Sequence, residues 1–159
     1  MEEVLKKPVR EVMTKKVISV QKTESIKNLF QRLNEHGILG VPVVDSENKV
    51  MGIVTESDLV KHFTTLKTPR GVHVLGSLLY LDDIQDFNKN LKDHCAETVE
   101  GLMVSPVVTI ESEKPLQDAL TLMAEHKINR LPVVDKEGKL VGILTRTDIL
   151  HQLAQLITV

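Results

Sequence analysis

Ile26, Leu29, Phe30 and Leu33 stand at i, i+3, i+4 and i+7, the spacing of one apolar helix face. Leu116, Ala119, Leu120 and Met123 repeat that spacing, with Pro115 suited to a first helical turn. Ahead of each helix lies a short β-branched run, "VISV" at 17–20 and "VVTI" at 107–110, which predicts a strand. Behind each comes "GVPVVD" at 40–45 or "RLPVVD" at 130–135, also strands. Their prolines cannot donate to a ladder, so a strand start or a sheet edge is expected there. "SEN" and "KEG" read as turns. "KVMGIVT" and "KLVGILT" are nearly continuous in apolar character, which predicts strands buried on both faces. A second helix is expected from about Glu56 and from about Arg146.

The pattern is written twice. Displaced by 90 residues, the stretch beginning at Val9 aligns without a gap on the stretch beginning at Val99. Met13 falls on Met103, Glu35-His36 on Glu125-His126, "PVVD" on "PVVD", and Gly52, Thr55 and Asp58 on Gly142, Thr145 and Asp148. Each copy is a β-α-β-β-α unit of about 55 residues, too small for much core of its own. The expected fold class is therefore α/β (α+β), with two units packed sheet against sheet about a pseudo-twofold axis. The division expected is 8–66 for the first repeat, 67–98 for a loop and helical insert, and 99–159 for the second repeat. Within the insert, "TTLKTPRGVHVLG" reads as loop. "LDDIQDFNKNLKDHCAE" reads as a helix capped by Asp82 or Asp83, with a packed stripe of Ile84, Phe87 and Leu91.

Composition narrows the function classes. Apolar residues make up 42% and charged residues 26% of the 159, an ordinary globular balance. A formal charge of −2 with no block of like charges argues against a nucleic-acid or acidic-lipid surface. Phe30, Phe63, Phe87 and Tyr80 are the only aromatic residues, too few for a base-stacking platform. No run approaches the ~20 apolar residues of a membrane span, and "MEEVLKKPVREVM" lacks the apolar stretch of a signal peptide. The lone Cys95 suits a reducing compartment, so a cytoplasmic protein is expected. Nucleophile-elbow, phosphate-loop and zinc-protease motifs are all missing, so no enzyme is expected.

The phrase "GIVTESDL" at 52–59 returns as "GILTRTDI" at 142–149. T-x-x-D at a strand-to-helix junction is a capping box with Asp in the usual Glu role. The same geometry also suits a ligand. A helix N-terminus offers free N–H groups and positive potential to phosphate, and an ionised Asp accepts from ribose hydroxyls. The two functions are compatible.

Two β-α-β-β-α units, each with a Met before its first strand, a central "PVVD" and a terminal G-h-h-T-x-x-D, resemble tandem CBS domains, a Bateman module. The resemblance covers roughly 9–63 and 99–154. It implies a regulatory module that binds an adenosine-containing ligand (AMP, ADP, ATP or S-adenosylmethionine) in clefts between the repeats. The nucleotide would act as regulatory ligand, with no cofactor. It also implies a homodimer and a regulated protein, which the sequence leaves unnamed. Asp58 and Asp148 are then expected on ribose, and Thr55 and Thr145 on phosphate. The adenine slot is expected from Val17, Pro106 and Val107 of the first strands and their approaches, with Gly40, Val41, Pro42, Arg130, Leu131 and Pro132. Lys16 is a further phosphate candidate. The alternative is a structural dimerisation or docking module with empty clefts.

Charge predicts unequal clefts. Glu56 corresponds to Arg146 and Gly40 to Arg130, and arginine favours phosphate where glutamate repels it. The side carrying Arg146 is expected to be the more phosphate-friendly. His36 and His126 suit helix C-termini. His62, His73, His94 and His151 look scattered, so no metal site is expected. Cys95, between acidic neighbours Asp93 and Glu97, is expected to be inert.

Overall fold

The computed structural model describes residues 2–157. The first sheet has the order β1 (Val20–Gln21), β2 (Gly40–Val44), β3 (Val50–Thr55). Strand β2 runs parallel to β1 and antiparallel to β3. Helix α1 (Glu2–Lys6) opens the chain, α2 (Ile26–His36) joins β1 to β2, and α3 (Glu56–Thr64) follows β3 directly. The insert holds a hairpin, β4 (Gly71–Val74) with β5 (Ser77–Tyr80), and then α4 (Ile84–Ala96). The second unit repeats the first: β6 (Ile110–Glu111), α5 (Leu116–His126), β7 (Arg130–Val134), β8 (Leu140–Thr145) and α6 (Arg146–Ile157). Among the described residues, no helix is long and apolar enough to cross a membrane.

Helix α2 buries Ile26, Leu29 and Leu33, and α5 buries Leu116, Ala119 and Met123. Ser25 caps α2 by accepting from the Asn28 N–H at 3.2 Å. The expected first strands shrink to two residues each. Strand β1 meets β2 only at Val20–Val43 and Gln21–Val44, while Val17 and Ile18 leave the sheet to line the cleft described below. Pro42 lies in a central strand rather than at an edge. Its partner Ile53 spends both backbone groups on Val104, so the Pro42–Ile53 pair carries no hydrogen bonds. The proline nitrogen therefore faces the β1 side, where pairing begins only at Val43. Strand β3 is two-faced rather than buried throughout: Gly52 and Val54 are buried, their neighbours half-covered.

The two units are joined by exchange of their leading segments. Thr14 and Ile143 trade backbone hydrogen bonds of 2.9 and 3.0 Å, and 90 residues on, Val104 and Ile53 do the same at 2.9 and 3.2 Å. Val9 N–H donates to Lys114 and Val99 N–H to Glu24. This pairwise correspondence is the pseudo-twofold relation. The cores follow the crossing. Val4, Val9 and Val12 pack with Leu116, Leu131 and Leu144 of the second unit. Val99, Leu102 and Met103 pack with Ile26, Leu29 and Val54 of the first. The crossing also explains the paired Met and Gly landmarks. The Met13 thioether lies where a Cβ on Gly142 would stand, and the Met103 sulfur would be 3.0 Å from a Cβ on Gly52.

The insert departs most from expectation. The stretch read as loop forms the β4–β5 hairpin, turned by Leu75 and Gly76, both at positive φ, the backbone a two-residue hairpin turn requires. Every residue of both strands is exposed. Asp83 is the cap of α4, accepting from the Gln85 N–H at 2.7 Å. Its apolar stripe packs less than expected, with Ile84 exposed and Phe87 and Leu91 half-buried. Two histidines that look scattered in the sequence meet here: the rings of His62 and His94 lie 4.8 Å apart.

Candidate functional site

A cleft of about 510 Å³ opens where the leading segment of the first unit crosses the end of β8. Thr14, Lys16, Val17 and Ile18 form one wall, and Thr145, Arg146 and Asp148 form the opposite one at the start of α6. Ile38, Leu39 and Gly40 from the approach to β2 close a third side, with Asn129 and Arg130 beside them.

The T-x-x-D box at this helix is formed. Asp148 Oδ2 accepts from the Thr145 N–H at 2.8 Å and from the Thr145 hydroxyl at 2.7 Å. The cap thus consumes one carboxylate oxygen. No hydrogen bond from a described residue falls on the other, Oδ1. Asp58 makes the same contacts to Thr55, at 2.8 and 3.1 Å.

Arg130 reaches across the pseudo-axis. Its Cδ would be 3.2 Å from a Cβ on Gly40, so the glycine leaves room for the arginine stem that its own counterpart carries. The guanidinium meets Glu56 of the first unit at 3.4 Å, with the Arg130 side chain only 16% exposed. Glu56 Oε2 is buried yet has no hydrogen-bond partner. The pair is thus held by charge more than by aligned donors.

Of the residues singled out from the sequence, Lys16, Val17, Gly40, Arg130, Thr145, Arg146 and Asp148 meet in this cleft. Val41 and Leu131 do not line it; their side chains are fully buried in the two cores. Pro42 and Pro132 are buried in the same strands. Thr55 and Asp58 sit at the pseudo-symmetric location, where the crossing brings the segment carrying Pro106 and Val107. Sequence reasoning missed Thr14, Asn129 and the apolar edge of Ile38 and Leu39. It also set Glu56 with the other cleft, whereas Glu56 lines this one. Leu39, 58% accessible beside a buried strand, is an apolar residue left outside the core.

The CBS domain model matches the chain twice, at residues 9–65 and 99–155. The chain belongs to the CBS domain family. A relative from Methanocaldococcus jannaschii, protein MJ1426, is 32% identical over 91% of this chain and 90% of its own length. The chloroplastic CBS domain-containing protein CBSX1 of Arabidopsis thaliana is 33% identical over 93% of this chain, which spans 64% of that protein. The inosine-5'-monophosphate dehydrogenase of M. jannaschii is 31% identical over 92% of this chain, but the match covers only 23% of that enzyme. Among solved structures, CBSX2 of A. thaliana in complex with AMP superposes with a TM-score of 0.71 at 26% identity. That match covers 94% of this chain and 97% of the other. The CBS domain pair of MJ0100, in complex with 5'-methylthioadenosine and S-adenosylmethionine, shares the fold, with a TM-score of 0.72 at 23% identity over 94% of this chain and 98% of that one. In this chain the two CBS units share their cores across the crossing.

Proposed function

We propose that the chain is a regulatory sensor for an adenosine-containing ligand, taken up in the cleft between Lys16 and Asp148. One observation carries the proposal: the Asp148 cap uses Oδ2 and leaves Oδ1 for ribose hydroxyls, beside three basic side chains. The cleft also meets the N-terminus of α6, whose positive dipole end favours phosphate, although the Arg146 N–H is given to Asn129 and the Thr145 hydroxyl proton to Asp148. Arg146 and Lys16 supply positive charge, and Val17, Ile18 and Ile38 an apolar slot for adenine. AMP bound to the CBSX2 relative supports this ligand class. The location of Thr55, Asp58, Pro106 and Val107 is the second, weaker site, with a proline where the first has Lys16.

A ligand acts only if it distinguishes two states. The Arg130–Glu56 pair offers that difference, since it bridges the two repeats at the cleft. A phosphate that engages Arg130 competes with Glu56 and loosens the bridge. Val60 on α3 and its counterpart Leu150 on α6 are both exposed, which suits association of two copies through that helix face. The lone Cys95 fits a cytoplasmic setting.

Isothermal titration of AMP, ADP, ATP and S-adenosylmethionine into ligand-free protein tests the reading, with Asp148→Ala checked for folding by thermal melting. Heat with wild type that is lost in folded Asp148→Ala supports the sensor. Silence with all four ligands favours the docking module instead, for which the fully exposed β4–β5 hairpin is the supporting observation.

A further inference from the structure

His62 lies in the last turns of α3, His94 near the end of α4, and Glu97 at the C-cap of α4. One donor atom from each falls within 4.8 Å of the other two. His62 Nε2 is 3.9 Å from Glu97 Oε2, and the His94 carbonyl oxygen stands 3.5 Å from the same nitrogen. In a tetrahedral site with bonds of about 2.0–2.1 Å, ligand atoms stand roughly 3.3 Å apart. Small rotations close that gap, and the Glu97 side chain, 53% exposed, is free to make them.

The His94 ring is already oriented for a metal, whereas His62 Nε2 faces the His94 carbonyl, an acceptor, and gives up its proton when the ion binds. His94 Nδ1 lies 3.0 Å from the Asn90 carbonyl oxygen, which can only accept. The proton therefore sits on Nδ1, and Nε2 keeps its lone pair. Metal-bound histidines are oriented by this kind of bond from the other ring nitrogen. Thr65 Oγ1, 3.2 Å from His94 Nε2, already donates its proton to the His62 carbonyl at 2.7 Å, so the lone pair is left unused. His62 is largely buried, packed edge-on against Phe63 at 5.2 Å.

We propose that His62, His94 and Glu97 bind a divalent transition-metal ion, zinc foremost, and that the ion clamps the insert onto the first repeat. Two imidazoles and one carboxylate are a donor set that zinc accepts, with a fourth position open to water. The architecture gives such a clamp something to do. The apolar stripe of α4 is only half-covered, so packing alone holds the insert weakly. The ion would cross-link it to α3, the helix that Thr55 caps and whose first turn carries Asp58. None of the three residues lines the nucleotide cleft.

The test titrates Zn²⁺ by calorimetry and Co²⁺ by visible absorption into chelator-treated full-length protein. One equivalent bound by wild type is expected. His62→Ala, His94→Ala and Glu97→Gln should each weaken it by more than the roughly 10- to 100-fold that loss of a mere supporting hydrogen bond produces. His73→Ala, on the exposed hairpin, should bind as wild type does. Zinc should slow amide exchange in α4 of wild type and not of His94→Ala. Glu97→Gln alters only an exposed side chain, so it decides the matter if a histidine variant unfolds. No uptake by wild type, uptake unchanged in all three variants, or equal loss in His73→Ala would each overturn the site.

Discussion

The same T-x-x-D phrase ends β3 and β8, and in each the aspartate Oδ2 accepts from the threonine N–H at 2.8 Å. What differs is the company. The β8 phrase carries Arg146 and faces Lys16 across its cleft, with Arg130 at the side. The β3 phrase carries Glu56, whose side chain turns to Arg130 in that same cleft, and the segment crossing β3 has Pro106 in place of Lys16. A cap is set by backbone geometry, so copying the fold copies the cap. A binding site is set by what the other repeat brings to it, and that part has diverged. Equivalent positions thus carry unlike side chains, Gly40/Arg130 and Glu56/Arg146.

The largest expected effect tests the sameness. Ile26 and Leu116 are equivalent and fully buried. Ile26→Ala and Leu116→Ala should each cost about 2–5 kcal/mol in urea unfolding, each within one cooperative transition. Two separated transitions would show that the cores are independent. Next comes the difference. Asp148→Ala and Asp58→Ala should lose similar stability, about 1 kcal/mol for a lost cap. Asp148→Ala should weaken the tighter AMP site by roughly 10- to 150-fold, the value of hydrogen bonds to a charged group, and Asp58→Ala should leave that site as it is. Equal losses of affinity would make the clefts alike. Smaller still, Arg146→Ala should lower AMP affinity about tenfold, and Glu56→Gln should raise it a few-fold by freeing Arg130. Calorimetry at two salt concentrations reads both.

The smallest effect lies outside the repeats. Arg70 grips Asp82 through Nε at 3.1 Å and Nη2 at 3.0 Å, and donates its backbone N–H at 2.8 Å, closing the base of the hairpin. These hydrogen bonds pull the Asp82 carboxyl down to about 2. The folded value is depressed, so the stabilisation is present above the ordinary Asp range near 4 and fades as pH falls through about 2. Amide shifts of Arg70 and Leu81 followed by NMR from pH 5 to about 2 should move together in that acid window, and Asp82→Asn should abolish the movement.

The helices and the longer strands were legible because burial on one side imposes a period, as at Ile26, Leu29 and Leu33. The caps were legible because T-x-x-D fits few other local structures. The crossing was not. It rests on single bridges at Thr14 and Val104 and on short turns, none long enough to set a period. Everything that depends on the crossing was hidden with it, including the meeting of Arg130 with Glu56. The hairpin was obscured because Pro69 and Gly71 announce a loop, although Leu75-Gly76 between alternating residues was a usable turn signal. His62 and His94 meet only through the docking of α4, which no spacing encodes.

The exchanged leading segments also bear on how the chain is born. Synthesis delivers the N-terminus first, and domains commonly fold in that order. Here Val4, Val9 and Val12 emerge early, but the core that receives them ends at Ile149. The first repeat waits as well, since its core includes Val99. On the ribosome neither half closes when its own last strand appears. The first becomes complete only as the second begins, and the second is finished by residues made well before it.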